Sequence, residues 1–290
     1  MNDAFERFNP FALLLYFLAS ALIAAFFVNP VITAVSLVGS LVFFLSVCQN
    51  RGKTLLLSLL LFIIMALVNP IFSHNGKTVL FLLNDNPITL EAILFGVNSS
   101  AIIVSVLLLF RCFTEIMTSG RLLYIFGIFS PKLALILSMS LRYVPMFSRQ
   151  ARRIKRSQKV MGAYGDGNSI DRLKADCGVL SAMTTWALEN GIITAESMDA
   201  RGFLLSGKTH FRRYGFSARD AALIFATTGA AAITVIGLVQ NEYLFYPQLQ
   251  VLPSDALSSG AYAAYAFLVF IPSFLIFSEN IKWKYYLSKV

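Results

Sequence analysis

Residues 11–28 read FALLLYFLASALIAAFFV, and residues 31–48 read VITAVSLVGSLVFFLSVC. Only Asn29-Pro30 lies between them, and neither run holds Asp, Glu, Lys, Arg or His. A hydrocarbon core of about 30 Å takes roughly 20 apolar residues in a helix. The pair therefore predicts two membrane spans joined by a proline turn. Four more apolar runs follow at 55–68, 90–110, 221–239 and 261–277. The third span extends to Phe72 if Pro70 is tolerated near its end, and Glu91 sits at one edge of the fourth.

Composition agrees with a lipid solvent. Of 290 residues, 57% are hydrophobic and 13% charged, against about 45–50% and 25% in a soluble domain. That excludes a soluble globular protein and a disordered one. The N-terminus, with Asp3, Glu6 and Arg7, lacks the basic start of a cleaved signal, and its apolar run is long enough to stay as an anchor. Cys48, Cys112 and Cys177 share no pair spacing, and His74 and His210 stand far apart. No metal motif, disulfide frame or Ser/His/acid constellation emerges. The chain reads as non-enzymatic, with no metal or cofactor of its own.

The net charge is +9. In an apolar chain such an excess belongs in cytoplasmic loops, so nucleic acid is not needed to explain it. Arg51 and Lys53, then Arg111 and Arg121, then Lys208, Arg212, Arg213 and Arg219, then Lys282, Lys284 and Lys289 mark one side. Loops 73–88 and 240–258 together hold one basic residue, Lys77. Both termini are expected inside. Trp283, Tyr285 and Tyr286 suit an inner interface belt, and Tyr243, Phe245 and Tyr246 an outer one.

Residues 122–147 are apolar but divided at Ser130-Pro131, with Arg121 before and Arg149 after. A single crossing would leave one basic flank outside. Two short helices that dip into the membrane or lie along it are expected, with the break shielded by protein. Residues 148–219 follow on the inside and carry 13 of the 24 Lys and Arg residues. Arg149, Arg152, Arg153 and Arg156 share one helical face, and Phe147, Ala151, Ile154 and Met161 line another. This amphipathic helix is expected to stop at Gly162 and the turn signals of residues 165–168. A second helix is expected over 171–188, where Leu173, Cys177, Leu180, Thr184 and Ala187 recur at a spacing near 3.5. A third is expected over 192–201, stopping at Gly202. Such basic helices lie on anionic lipid or dock into a partner's groove.

Residues 202–209, GFLLSGKT, match the phosphate-loop pattern. That loop needs a strand before it and a helix after. Here the preceding residues look helical and Phe203, Leu204 and Leu205 are bulky, so ATP binding is not expected. Lys208 reads instead as an interface anchor. Asp220 and Glu91 are expected as solvated headgroup-level charges. Spans without ionisable residues argue against a self-contained pump or channel. Asn98, Ser99 and Ser100 are expected to hydrogen-bond between helices, and the small residues of 227–232 and 260–266 to allow close helix approach.

A family resemblance rests on these residues. Ser197-Met198-Asp199-Ala200-Arg201-Gly202-Phe203 resembles the Ala-Arg-Gly signature of the transmembrane T component of energy-coupling factor transporters. Leu141-Arg142-Tyr143-Val144-Pro145 is similar to that family's Leu-Arg-aromatic-aliphatic-Pro segment, and the basic run 152–158 to its first coupling helix. Gly207-Lys208-Thr209 and Arg212-Arg213-Tyr214 before Asp220 also fit. The family usually carries two signatures. The first falls here at Val160-Met161-Gly162, where Met161 replaces the arginine. Either Arg156 or Lys159 substitutes, or only the second tip makes a charged contact.

The resemblance implies an all-α membrane protein of about six transmembrane helices, with a broken membrane-surface segment and cytoplasmic coupling helices. It implies a membrane domain over 1–121, a coupling segment over 122–217 and two final spans over 218–290. It implies a multi-pass protein of a bacterial or archaeal cell membrane. The chain would sit between two cytoplasmic ATP-binding subunits, which hold ATP and magnesium, and a substrate-binding membrane S component for a vitamin, cobalt or nickel. Ala200, Arg201 and Gly202 would contact an ATPase, supported by Arg152, Arg153, Arg156 and Lys159. The alternative is a membrane scaffold whose basic segment binds anionic lipid without an ATPase.

Overall fold

The computed structural model describes residues 5, 8–48, 51–72, 78–83, 86–162, 164, 169–203, 205, 214–240 and 256–287. In order, the helices are α1 (Pro10–Phe26), α2 (Pro30–Val47) and α3 (Arg51–Phe72), then α4 (Leu90–Ile116), α5 (Ser119–Phe129) and α6 (Pro131–Val160). They continue with α7 (Ser169–Ala200), α8 (Ala218–Gln240) and α9 (Ala256–Leu287). A two-stranded antiparallel ribbon, β1 (Val79–Leu83) with β2 (Asn86–Thr89), precedes α4. That ribbon lies where a loop was expected, and it qualifies an otherwise all-α fold.

Among the described residues five helices are long and apolar enough to cross a membrane: α2, α3, α4, α8 and α9. The fold is thus a multi-helix, multi-pass membrane protein. The expected first span, α1, has 17 residues. That is a rise of about 26 Å, short of the hydrocarbon thickness. The aromatic belt residues 243–246 lie outside the described residues, as do the side chains of 283–286.

The chain forms two compact units, residues 1–122 with 214–290, and residues 123–213. In the first, α4 packs against α1, α2 and α3, while α9 packs against α2 and α8, and α8 against α1. Asn-Pro pairs start two of these helices. Asn9 and Asn29 each take the N-cap position with the side chain accepting the N–H two residues on, from Phe11 and Val31. Pro10 and Pro30 fill the first helical position, where the missing N–H costs nothing. Tyr265, Phe43, Phe44, Leu13 and Ile32 are among the largest fully buried side chains. Phe17 packs its ring against both Phe43 and Phe113.

Close helix approach depends on small residues, and Ala261, inside one of the expected small-residue runs, takes part in it. A Cβ at Gly39 on α2 would overlap Val269 of α9. One at Gly96 on α4 would come 3.0 Å from the Ala66 carbonyl of α3, and one at Gly237 on α8 would come 2.7 Å from Ala261 Cβ. Gly229 and Gly260, inside the small-residue runs, face open space. The polar cluster on α4 also departs from expectation. Ser100 returns its hydroxyl to Val97 O, 2.8 Å away on its own helix. Among the described residues the Asn98 amide nitrogen, buried, has no hydrogen-bond partner. A side-chain bond linking helices is made elsewhere, from Asn29 Nδ2 to the Tyr262 hydroxyl at 2.9 Å.

Three charges are not where a solvated reading puts them. Asp220 is fully buried; its carboxylate accepts the N–H of Asn9 and the N–H of Ser217, each at 2.8 Å. Glu91, 7% exposed, accepts the Thr78 hydroxyl at 2.7 Å. Arg121, 6% exposed, donates to Ile116 O at 2.7 Å and to Phe5 O at 3.1 Å. For Asp220 and Arg121 the cause is shared: helix ends carry unpaired N–H or C=O groups, and a charged side chain of the right sign satisfies them inside the protein rather than in water. Glu91, in the first turn of α4, is held instead by Thr78, which precedes β1.

Candidate docking surface on the α6–α7 hairpin

The second unit is built on α6 and α7, which pack together as an antiparallel hairpin. The Ser130-Pro131 break stands where expected, with Ser130 at the N-cap and Pro131 first in the helix. The segment after the break is not short, however. One helix of 30 residues runs from Pro131 through Pro145 and the basic run to Val160. Likewise the separate helices expected over 171–188 and 192–201 are one helix of 32 residues, continuous through Gly191.

Packing explains both continuities. Tyr143 donates its hydroxyl to Thr194 Oγ1 at 2.9 Å. Its ring stacks on Phe147 at 5.7 Å, and Phe147 meets the edge of Trp186 at 5.5 Å. These contacts fall on both sides of Pro145 and of Gly191. A glycine inside a helix costs about 1 kcal/mol, and aromatic pairs of this kind contribute about as much each beyond their burial.

Toward the turn, Lys155 Nζ reaches Asp176 Oδ1 at 2.8 Å, and the Tyr164 hydroxyl donates to the same oxygen at 2.6 Å. The Lys155 ammonium also lies 5.2 Å from the centre of the Tyr164 ring. These bonds hold the Asp176 carboxyl below the usual carboxylate range, the Lys155 hydrogen bond being the larger cause. The same bond to Asp176 raises Lys155, and the bond to Asp176 raises Tyr164. Nothing in the sequence pattern pointed to this clasp; its three members lie on different elements and differ in type.

The two signature segments end these helices in the same way. At the end of α7, the Phe203 N–H bonds to Met198 O at 3.0 Å and the Gly202 N–H to Asp199 O at 2.9 Å. Gly202 has φ +75°. This is a Schellman cap. It puts Ala200 in the last turn, Arg201 at the C-cap and Gly202 in the left-handed position that favours glycine. At the end of α6, Gly162 has φ +77° and its N–H bonds to Lys159 O at 3.2 Å. Val160, Met161 and Gly162 therefore occupy the same cap positions as Ala200, Arg201 and Gly202.

Both tips are open. Val160, Met161, Ala200 and Arg201 are exposed, as are Arg152, Arg153, Arg156 and Lys159. Met161 is 75% exposed and so does not belong to the packed face of Phe147, Ala151 and Ile154, all half-buried. The positive φ of Gly162 begins the turn there. On α7 the face toward α6 carries the buried Ala175 and Val179, whereas Leu173, Cys177, Leu180 and Thr184 are exposed. The structure does not bring the two tips together. They stand at opposite ends of α7, whose 32 residues rise about 48 Å.

The phosphate-loop pattern finds no matching context among the described residues. The element before Gly202 is a helix, Phe203 and Leu205 are exposed, and residues 206–213 lie outside the description. Among the described residues no group of three or more His, Cys, Asp or Glu could hold a metal ion.

Comparison with known proteins bears on the same region. A family model described as "Cobalt transport protein", CbiQ, matches residues 6–211. An energy-coupling factor transporter transmembrane protein EcfT of Streptococcus thermophilus is 32% identical over 126 residues, 43% of this chain and 44% of the relative. Its counterpart in Lactobacillus helveticus is 33% identical over 34% of this chain and 36% of the relative. The match thus spans less than half the length of these two relatives. The Thermotoga maritima protein of the same name is 25% identical over 82% of this chain and 91% of its own length. With more than two thirds of its residues inside the family model, the chain belongs to the CbiQ/EcfT family of energy-coupling factor transporter transmembrane proteins.

Proposed function

We propose that this chain is the non-catalytic coupling subunit of an energy-coupling factor importer. It passes the ATP-driven movement of two cytoplasmic ATP-binding subunits to a separate membrane subunit that holds the cargo. The observation that carries this reading is the pair of matching, exposed caps that close α6 and α7, set at opposite ends of the hairpin. Two docking tips, set apart by the length of a long helix, suit two partner subunits, one at each tip. A rigid hairpin between them turns their approach and separation into one movement.

Arg201 is the charged tip. At a helix C-terminus its cation lies by the negative end of the dipole. Its planar guanidinium forks onto carboxylates or carbonyls in a partner groove. Met161, at the equivalent position, supplies an apolar contact, and Arg152, Arg153, Arg156 and Lys159 add charge along the exposed side of α6. ATP and magnesium belong to the partners. The cargo class is a water-soluble vitamin or a transition metal, and the family description names cobalt. The basic segment and both termini face the cytoplasm in this reading.

Gentle detergent extraction tests it. The tagged chain should bring down two ATP-binding subunits and a small membrane subunit, and Arg201→Glu should lose the ATP-binding pair. A chain that purifies alone, with transport unaffected by its deletion, sinks the proposal and leaves a lipid-bound scaffold.

A further inference from the structure

We propose that a groove between α8 and α9 is a binding site for an anionic phospholipid, with the headgroup phosphate on Arg219 and an acyl chain along Phe267, Phe270 and Phe274. The cavity is about 570 Å³, within the usual range of small-molecule sites. Ala222 and Ala226, one turn apart on α8, make its floor, and the three phenylalanines stand along one side of α9. Among the described residues that line it, Arg219 is the only charged side chain.

The arrangement is polarised, and that selects the occupant. Arg219 lies in the first turn of α8, where the apolar window of that span begins. It therefore sits at headgroup level while the phenylalanines run inward. An exposed arginine at that level extends toward the interface and keeps its stem in the apolar zone. Asp220, the next residue, does not line the groove; its carboxylate is buried against the N–H groups of Asn9 and Ser217. Among the described residues Arg219 makes no ion pair. A ligand with one negative end and a long apolar body matches both halves of the groove. A zwitterionic lipid brings its own cation to compete with Arg219 for the phosphate, so the site prefers an anionic headgroup.

Native mass spectrometry of the full-length protein, titrated with phosphatidylglycerol or phosphatidylcholine, tests this. The wild type should retain phosphatidylglycerol roughly tenfold better, the size expected for one charge-assisted contact. Arg219→Ala should erase that preference, and Arg219→Lys should keep most of it. Ala222→Phe, which fills the floor, should lower retention of both lipids. Glycerol phosphate, a headgroup without chains, should displace nothing. Equal retention of the two lipids by the wild type would overturn the proposal. So would a preference that survives Arg219→Ala, or displacement by glycerol phosphate. If Ala222→Phe fails to elute as a folded protein, the two Arg219 variants decide alone.

Discussion

The carboxylate of Asp220 accepts the backbone N–H of Asn9 at 2.8 Å, although 211 positions separate them in sequence. Its second oxygen takes the N–H of Ser217, also at 2.8 Å. Ser217 precedes α8 and Asn9 precedes α1, so one negative group lies between two helix N-termini. Both ends carry partial positive charge, and the bridge satisfies N–H groups that helices leave unpaired. Asn9 in turn caps α1 through the Phe11 N–H at 3.0 Å. The packing of α1 on α8 is thereby set at one level.

Asp220→Ala should destabilise the membrane unit by about 1–3 kcal/mol, since the buried Asn9 N–H loses its acceptor while the part-buried Ser217 N–H can turn to water. Asp220→Asn retains one acceptor oxygen and should cost less. Thermal unfolding in detergent ranks the variants. Equal midpoints for Asp220→Ala and the wild type would show that the bridge contributes nothing.

A second test concerns Gly39. A Cβ at this position overlaps Val269, so Gly39→Leu should force α2 from α9 and destabilise by about 1–3 kcal/mol, the usual effect of overpacking. Gly39→Ala combined with Val269→Ala makes room and should recover most of the loss seen with Gly39→Ala alone. Additive losses in the double variant would mean that the two residues do not meet.

Much of this fold is readable from local chemistry. Pro131 opens α6 because proline suits the first turn, and Gly162 and Gly202 close α6 and α7 because φ near +75° strains any other residue. Apolar runs locate the spans because lipid demands them. What local chemistry leaves open is decided by distant partners. Gly191 resembles a stop, yet Trp186 and Thr194 on either side of it are held by Phe147 and Tyr143. Asp220 and Glu91 resemble solvated charges, yet distant donors reach them from Asn9, the N-cap of α1, and from Thr78. The candidate site divides in the same way. The cap positions of Met161 and Arg201 follow from the glycines that succeed them, whereas the Lys155–Asp176–Tyr164 clasp exists only once α6 and α7 pair.

That clasp has a defined pH window. Asp176 is held below its usual range, so its contribution is complete above the ordinary carboxylate value and is lost as pH falls through the lowered one. Lys155 is raised, so its contribution is complete below the ordinary ammonium value and is lost as pH rises through the raised one. The clasp is therefore intact at least between about pH 4 and pH 10. Carboxyl NMR titration should find Asp176 low in the wild type and shifted back upward in Lys155→Ala. Identical titration curves would show that the pair does not form in solution.

Met161 and Arg201 provide the sharpest comparison, because they share one cap position on different helices. Truncation of a buried interfacial arginine costs on the order of 2–5 kcal/mol, so Arg201→Ala should weaken assembly with the ATP-binding subunits and lower uptake in proportion. Arg201→Glu should be worse, since it also opposes the helix dipole. Met161→Arg restores the signature's charge at an exposed position whose backbone is already set by Gly162. It should leave assembly intact or strengthen it. Gly162→Ala and Gly202→Ala, by contrast, strain the left-handed cap and should impair docking even though no charge changes. Pull-down with ATP-binding subunits and uptake in cells measure all five. Severe loss in Met161→Arg would mean that the first tip needs an apolar side chain. Full assembly in Arg201→Glu would remove that arginine from the interface.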